Sequence, residues 1–460
     1  MKMQIFEPLK LKFEQPNWAN NPELALIDSV LEQRPDLVRM FEPDIRKDSK
    51  NSVFGRGDVP SVEQIVRAGI FKELKGLEYR ELADALEDSR ICEHFVKIDR
   101  MRPFSFQVLQ KYISKMSKEM LETMLYELNK IAINEGLEDL NKICMDTTVV
   151  ESNVHYPTNN SLVWDCIHES QRLLKHLQDE VNGLNIRDYT KDAKKTYFLI
   201  NNTKSSGKKT KDKEQQIADK RTKLFIKQLV TLTKAINQVA NIVKKKDTYS
   251  ITENATAILV QLEKLLPLMQ QVCDFTNRHE VKKEKVDNQD KIFSIYELHT
   301  DIIVKGSRET KFGHKVNFVH GKSNLVLSVK TLKGNPADST LYQSAVEEVI
   351  NTYKIVPRDS ATDGGFASLE NLQYAQNKGI INVVFNKIVG SLRNVCTSLN
   401  LETRLKKWRS TAEAIISNVK RGFNLQRCNW KGEDHFAQKV LWSTIAYNIR
   451  VMAAKIKMAA

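Results

Sequence analysis

Between about residues 165 and 290 the chain is highly charged and poor in glycine and proline, while the segments on either side carry strand signals. A stretch of more than a hundred residues so poor in turn residues is not a loop in a compact domain. Leu224, Ile226, Leu229, Leu232, Ile236, Val239 and Ile242 recur at helical spacing through "KLFIKQLVTLTKAINQVANIVKKK", so this block carries an apolar seam of its own. It reads as an antiparallel helical hairpin inserted into another domain. Its many lysines have two readings, a solvated face and a non-specific phosphate grip. Without the block, the order is a strand near Asp146, the strands "TDIIVKGS", "FGHKVNFVHG" and "NLVLSVKTLKG", then helix, strand, helix, strand and two final helices. That order predicts a mixed α/β sheet with helices against its faces. The boundaries that follow are a helical N-terminal domain over 1–135, an α/β domain over 140–165 and 290–460, and a basic helical insertion over 166–289.

The first 55 residues are polar and broken by Pro8, Pro16, Pro22, Pro35 and Pro43, which predicts short helices and loops. From Ser61 the pattern tightens. Ser61 and Gln64 have capping-box spacing, Val62, Val66, Ile70 and Leu74 make an i, i+4 stripe, and Gly76 stands where a helix stops. A second helix with Leu82, Ala83 and Leu86 inward gives, over about 61–98, the outline of a helix-turn-helix module or of a plain helical hairpin. Residues 105–135 continue as one long amphipathic helix with a methionine-rich core stripe.

Lysine and arginine exceed aspartate and glutamate by 14, an excess that favours a polyanionic partner, nucleic acid before an anionic membrane. The N-terminal residues contain no apolar signal region, and no window approaches a membrane span. The six cysteines are scattered without a CxxC pair, which predicts ordinary buried thiols in a reducing cytoplasm, with neither disulfide framework nor zinc site. No phosphate-binding loop, dinucleotide fingerprint or nucleophile elbow is present.

Three carboxylates bear on chemistry. Asp146 interrupts an apolar run in "KICMDTTVVESNVHYPTNN" and is expected at a strand end. Asp363 closes a second strand, with Gly364 and Gly365 leaving room beside it for a ligand or another backbone. Glu413 lies in "WRSTAEAIISNVKRGF", where Arg409, Glu413, Ile416 and Lys420 share one helical face. The Arg409–Glu413 spacing alone describes a surface ion pair. With cations one turn before and two turns after it, Glu413 also suits a metal ligand beside phosphate-gripping groups, since Mg²⁺ takes hard oxygen ligands.

This layout resembles the DDE-type transposases of bacterial insertion sequences. The first Asp of that family is matched in "CMDTTVVESNVHYPT", the second in "ATDGGFASLENL", and its R-(3)-E-(6)-K helix signature by Arg409, Glu413 and Lys420; the tyrosine that often precedes the Arg by three is Lys406 here. The stretch "VEQIVRAGIFKELKGLEYRELADAL" is similar to the domain that precedes the catalytic core in these proteins. The resemblance covers about residues 50–160 and 290–450. It implies an RNase H-like mixed sheet with helices on both faces, preceded by an all-α DNA-binding domain and interrupted by the insertion. It further implies that Asp146, Asp363 and Glu413 hold two Mg²⁺ ions, with Mn²⁺ able to substitute, and that Arg409, Lys420 and Arg421 grip DNA near the scissile phosphate. The implied partner is double-stranded DNA, both element ends and target, bound by a homodimer in the bacterial cytoplasm at the nucleoid. Two rival readings are a catalytically inactive DNA-binding regulator descended from a transposase and an RNase H-like structure-specific nuclease. His155, His435, Trp408 and Trp430 are read as structural before they are read as contacts to metal or DNA, and His314 and His320 as strand or turn residues.

Overall fold

In the computed structural model the described residues are 2–4, 10–12, 21–46, 60–99, 102–203, 211–305, 309–388 and 390–459. Pro8, Pro16 and the "SSGKKT" that opens the basic stretch lie outside them. The chain divides into two compact units, one formed by residues 1–153 and 303–460 and the other by residues 154–302.

The first unit begins with a short antiparallel ribbon, Lys2–Gln4 with Lys10–Lys12, where the sequence suggested only helices and loops. Helix α1 (Pro22–Gln33) follows, then two helical turns. Helix α2 (Val62–Lys75) starts at the expected capping box of Ser61 and Gln64, and stops at Gly76, whose φ of 65° is left-handed. Helices α3 (Tyr79–Asp88) and α4 (Arg90–Val96) complete a tight cluster in which Leu82 and Leu86 are fully buried. The expected long helix over 105–135 is two helices, α5 (Phe106–Ile113) and α6 (Lys118–Asn134). Ser117 causes the break: its hydroxyl accepts from Met120 N, and its own N–H and O–H both donate to Asp44.

Strand β1 (Lys142–Glu151) ends this part of the unit. The second unit is all-helical, with α7 (Asn159–Glu180), α8 (Thr190–Asn202), the 34-residue α9 (Lys211–Lys244) and α10 (Glu253–Thr276) closing around Ile167, Leu174, Leu232, Val239, Leu262 and Met269. The apolar seam expected on α9 is present with two changes: Ile226 is 45% exposed, and Phe225 is buried instead.

The remaining strands are β2 (Asp301–Lys305), β3 (Glu309–Gly321), β4 (Val326–Leu332), β5 (Asp359–Asp363) and β6 (Asn382–Asn386). They form one mixed sheet in the order β2-β3-β1-β5-β6, with β4 also paired to β3. The central strand β1 runs antiparallel to β3 and parallel to β5. Helices α11 (Tyr342–Tyr353) and α12 (Leu369–Asn377) connect β4, β5 and β6. Then come α13 (Leu399–Arg409), α14 (Thr411–Gly422) and the 27-residue α15 (Glu433–Ala459). This is the RNase H-like arrangement, a mixed sheet with helices on both faces. Alternation along β1 sends Ile143 and Met145 into a core with Tyr342, Val346 and Val349 of α11. Val150 points the other way, into a core shared by the N-terminal helices, α14 and α15.

Helix α15 is the axis of that second core. Trp442 is fully buried against Gly69 of α2, where an added Cβ would lie 2.8 Å from the indole ring. Asn448 mimics a further strand for β4: its Oδ1 accepts from Val326 N at 2.9 Å, and its Nδ2 donates to Val326 O at 2.8 Å. Among the described residues no helix is long and apolar enough to cross a membrane.

Candidate active site

Asp146 is the fifth residue of a ten-residue strand, so the expectation that it would end its strand is corrected. The reason lies in unequal neighbours. On one edge of β1 the thirteen-residue β3 gives pairing as far as Glu151↔Gly313, with Asp146 opposite Phe318. On the other edge the five-residue β5 pairs only from Lys142↔Asp359 to Met145↔Thr362. Asp146 and Asp363 are therefore the first residues past the end of the same parallel ladder, one on each strand. Alternation turns Asp146 toward the face covered by α13 and α14, where it is half-buried and its Oδ1 accepts from Thr147 N at 2.7 Å.

Asp363 closes β5 opposite Asn386. The space left by Gly364 is filled by another backbone: an added Cβ would lie 2.6 Å from Asn386 O and 2.8 Å from Lys387 O. At Gly365 it would meet Asp338 Oδ2 at 2.9 Å. The carboxylate of Asp363 opens onto a cleft of about 1010 Å³ that also contacts Lys387, Arg393 and Asn394.

The single helix expected around Glu413 is two helices meeting at Ser410, so Arg409 ends α13 and Glu413 lies in the first turn of α14. Ser410 keeps a helical backbone (φ −60°, ψ −15°), which preserves the i, i+4 proximity across the junction. The pair is not a simple surface one. Arg409 is buried, donates from Nη2 to Glu413 Oε1 at 2.5 Å, and places Nη1 3.6 Å from Asp363 Oδ1. Burial opposes its charge, but Asp363, Glu413 and Asp146 outweigh that and hold the guanidinium more firmly protonated than usual. Arg409 thus ties the helix junction to the end of β5, with its buried Nε unpaired among the described residues.

Asp146 and Glu413 share a second cleft of about 360 Å³, with Thr148, Ser417, Lys420, Arg421 and Gln426 on its walls. Lys420 lines this cleft but reaches across to β1, donating to Val149 O at 2.7 Å and Thr148 Oγ1 at 3.3 Å. It holds α14 against the strand that carries Asp146. Arg421 is exposed at the rim. Asp363 lies outside this cleft, on the far side of the Arg409 contact. Among the described residues no three His, Cys, Asp or Glu side chains gather as a metal site. The donors still suit a hard cation: all three acids offer carboxylate oxygens, and Asp363 and Glu413 are 47% and 65% exposed.

Sequence reasoning missed a support beneath the site. On the opposite face of β1, Thr147 Oγ1 donates to Asp338 Oδ1 at 3.0 Å, and the buried Lys315 of β3 lies 2.6 Å from the same oxygen. Asp338 sits at the start of a helical turn, where an acid reads as a cap, so nothing in the sequence marked it out.

The residues read as structural are engaged within the fold. Trp430 packs on Tyr79, and Trp408 stands edge-on to His320. Burial pushes the buried His320 ring down to about 4, so it is neutral near pH 7. His314 lies in β3 edge-on to Phe436, and His435 Nδ1 is 2.8 Å from Gln438 Oε1. In the second unit His155 Nε2 lies 3.2 Å from Asp165 Oδ2, and burial, with help from Glu169, pushes the Asp165 carboxyl up to about 7. The six cysteines are free, four of them buried and Cys273 and Cys396 half-buried.

Neither the curated proteins nor the solved structures gave a match. Residues 303–449 match the family described as Transposase DDE domain. The matched segment contains Asp363, Arg409, Glu413, Lys420 and Arg421, and Asp146 reaches it through the β1–β3 and β1–β5 ladders. That segment, which supplies five of the six sheet strands and the helices that cover Asp146, is what makes this chain similar to the DDE-type transposases.

Proposed function

We propose that the protein is the transposase of an insertion sequence, cutting DNA at the ends of its own element and joining those ends to target DNA. One observation carries the reading: the two acids that end a shared parallel ladder stand beside a glutamate on α14, and a buried arginine links two of the three. In this reading Asp146, Asp363 and Glu413 would hold two Mg²⁺ ions, for which Mn²⁺ would substitute. Bound there, the ions supply Lewis-acid activation of the attacking oxygen and neutralise charge on the transferring phosphoryl group.

The chain's own residues do the rest. Arg409 holds Asp363 and Glu413 near one another before a cation arrives, through its contacts to both carboxylates. Arg421 at the cleft rim meets the DNA backbone. Lys420 acts chiefly on position, since its ammonium fixes α14 on β1. The helices over 61–98 form the DNA-binding domain that precedes the catalytic core, and two copies act together on two element ends, in a bacterial cytoplasm at the nucleoid.

The test is cleavage of duplex DNA that carries the inverted repeats flanking the gene. Asp146→Asn and Glu413→Gln should each slow Mg²⁺-dependent cleavage by about 10³-fold or more, several kcal/mol of lost transition-state stabilisation, while DNA binding persists. Wild-type cleavage by either variant would refute the assignment.

A further inference from the structure

The second unit carries a charge pattern that the catalytic site does not use. Residues 191–246 contain 16 Lys and Arg against 4 Asp and Glu, an excess of 12 where the whole chain has 14. The basic character of this protein is therefore concentrated in α8, α9 and the segment joining them.

On α9 the cations are ordered. Lys213, Lys220, Lys227 and Lys234 recur every seven residues, and Lys223 stands one turn from Lys220 and Lys227. At 3.6 residues per turn, seven residues advance the helix by almost two full turns, so all five lysines lie in one narrow stripe. Between Lys213 and Lys234 the polar residues that share the stripe are Gln216 and Thr231, with no carboxylate. All five lysines are exposed, and none has a carboxylate partner among the described residues. The buried face of the helix, Phe225, Leu229, Leu232, Ile236 and Val239, lies on the other side.

An unneutralised row of five ammonium groups is costly for the helix that carries it, since like charges at i, i+4 and i, i+3 repel. Solubility alone does not require one sign on one line; mixed signs serve it as well. A row of 21 residues at 1.5 Å per residue spans about 32 Å, roughly nine base pairs of duplex. We propose that this stripe of α9 is a sequence-independent docking surface for the phosphate backbone of duplex DNA, lying outside the carboxylate clefts and belonging wholly to the inserted unit. The inference rests on the transposase reading for the identity of the polyanion. The face contains no aromatic side chain and no planar guanidinium, so it is suited to charge and shape and not to base readout.

The experiment uses the full chain. Lys220, Lys223, Lys227 and Lys234 are changed together to Gln, and binding to a fluorescein-labelled 40-base-pair duplex of arbitrary sequence is followed by anisotropy between 50 and 300 mM salt. A matched control changes Lys175, Lys264, Lys282 and Lys285, four exposed lysines of the same unit off the stripe, to Gln. If the stripe docks DNA, its variant has a log–log salt slope shallower by about 3–4, near 0.9 for each phosphate no longer neutralised, and the control stays within about 1 of wild type. Circular dichroism should be the same for all three proteins, because no substituted side chain is buried.

Equal slopes for wild type and stripe variant would overturn the inference while leaving the transposase reading intact, provided wild type still cleaves its end duplex. Equal losses in stripe and control variants would overturn it too, since bulk charge would then be the cause. Loss of binding to phosphatidylserine vesicles with unchanged DNA binding would overturn it in favour of a membrane surface. A wild type that neither binds nor cleaves duplex DNA would sink the transposase reading itself.

Discussion

Arg409 and Glu413 are unequal partners, one buried and the other about two-thirds exposed, and the consequences of removing them differ accordingly. Glu413→Gln leaves Arg409 beside Asp363 and gives up one solvent-screened ion pair, so its cost in stability should stay under about 1 kcal/mol even though cleavage collapses. Thermal unfolding of the same protein used for the cleavage assay checks this; a loss several times larger would make Glu413 a structural residue. Asp165 gives a second expectation. Burial, and then Glu169, raises its carboxyl to about 7 from 3.8, so the folded state holds this proton more tightly than the unfolded chain does. Its contribution is fully present below about pH 4 and is lost as pH rises through about 7. The thermal midpoint of wild type should therefore fall relative to Asp165→Asn across that window. A difference between the two proteins that does not change with pH would rule the effect out. At this scale the sequence was a partial guide. It singled out Asp146 and Asp363 by their place on strands and Arg409 with Glu413 by helical spacing, but burial is what turns Arg409 from a surface partner into a link between strand and helix. Lys420 likewise had the right spacing, yet only the fold shows that its ammonium reaches the β1 backbone.

Elements were legible where a periodic pattern met its own stop signal. The Ser61 box and Gly76 bound α2 as expected, and all six strand signals of the sheet became strands. The misreadings occurred at breaks set by tertiary partners: Ser117 interrupts a helix because Asp44 binds it, and β1 runs past Asp146 because β3 is long enough to pair with it. Edge pairing by a side chain was equally invisible. The amide of Asn448 satisfies both backbone groups of Val326, and Asn129 Nδ2 adds a second donor to the same carbonyl. Asn448→Ala should destabilise the first unit by about 2–3 kcal/mol, since a buried N–H loses its acceptor and Asn129 Oδ1 loses its donor. Urea unfolding followed by tryptophan fluorescence reads this directly, and a change below about 0.5 kcal/mol would mean that water replaces the amide without cost.

For the molecule as a whole, the two units keep separate apolar cores: every buried residue of the helical cluster lies within 162–295, and no residue of 154–302 enters the cores of the first unit. Replacing residues 156–299 by a Gly/Ser linker should therefore leave a protein that unfolds cooperatively and keeps strand as well as helix signals by circular dichroism. A remnant without cooperative unfolding would show that the insertion is part of the core. Periodicity made the seam of α9 legible because that seam needs no partner elsewhere. It could not reveal which face meets which, and so gave no sign that the N-terminal helices close on α15, some 300 residues further along the chain. That separation has a consequence during synthesis. At about 5–20 residues per second a ribosome needs roughly 15–60 s between releasing α6 and releasing α15. Throughout that interval the nascent chain can complete its inserted helical unit, whose residues are contiguous, while α1, α2 and α6 wait without the Trp442 helix that packs on them. The two carboxylate clefts are assembled last, because α13 and α14, which carry Arg409 and Glu413, leave the ribosome after the sheet and the inserted unit.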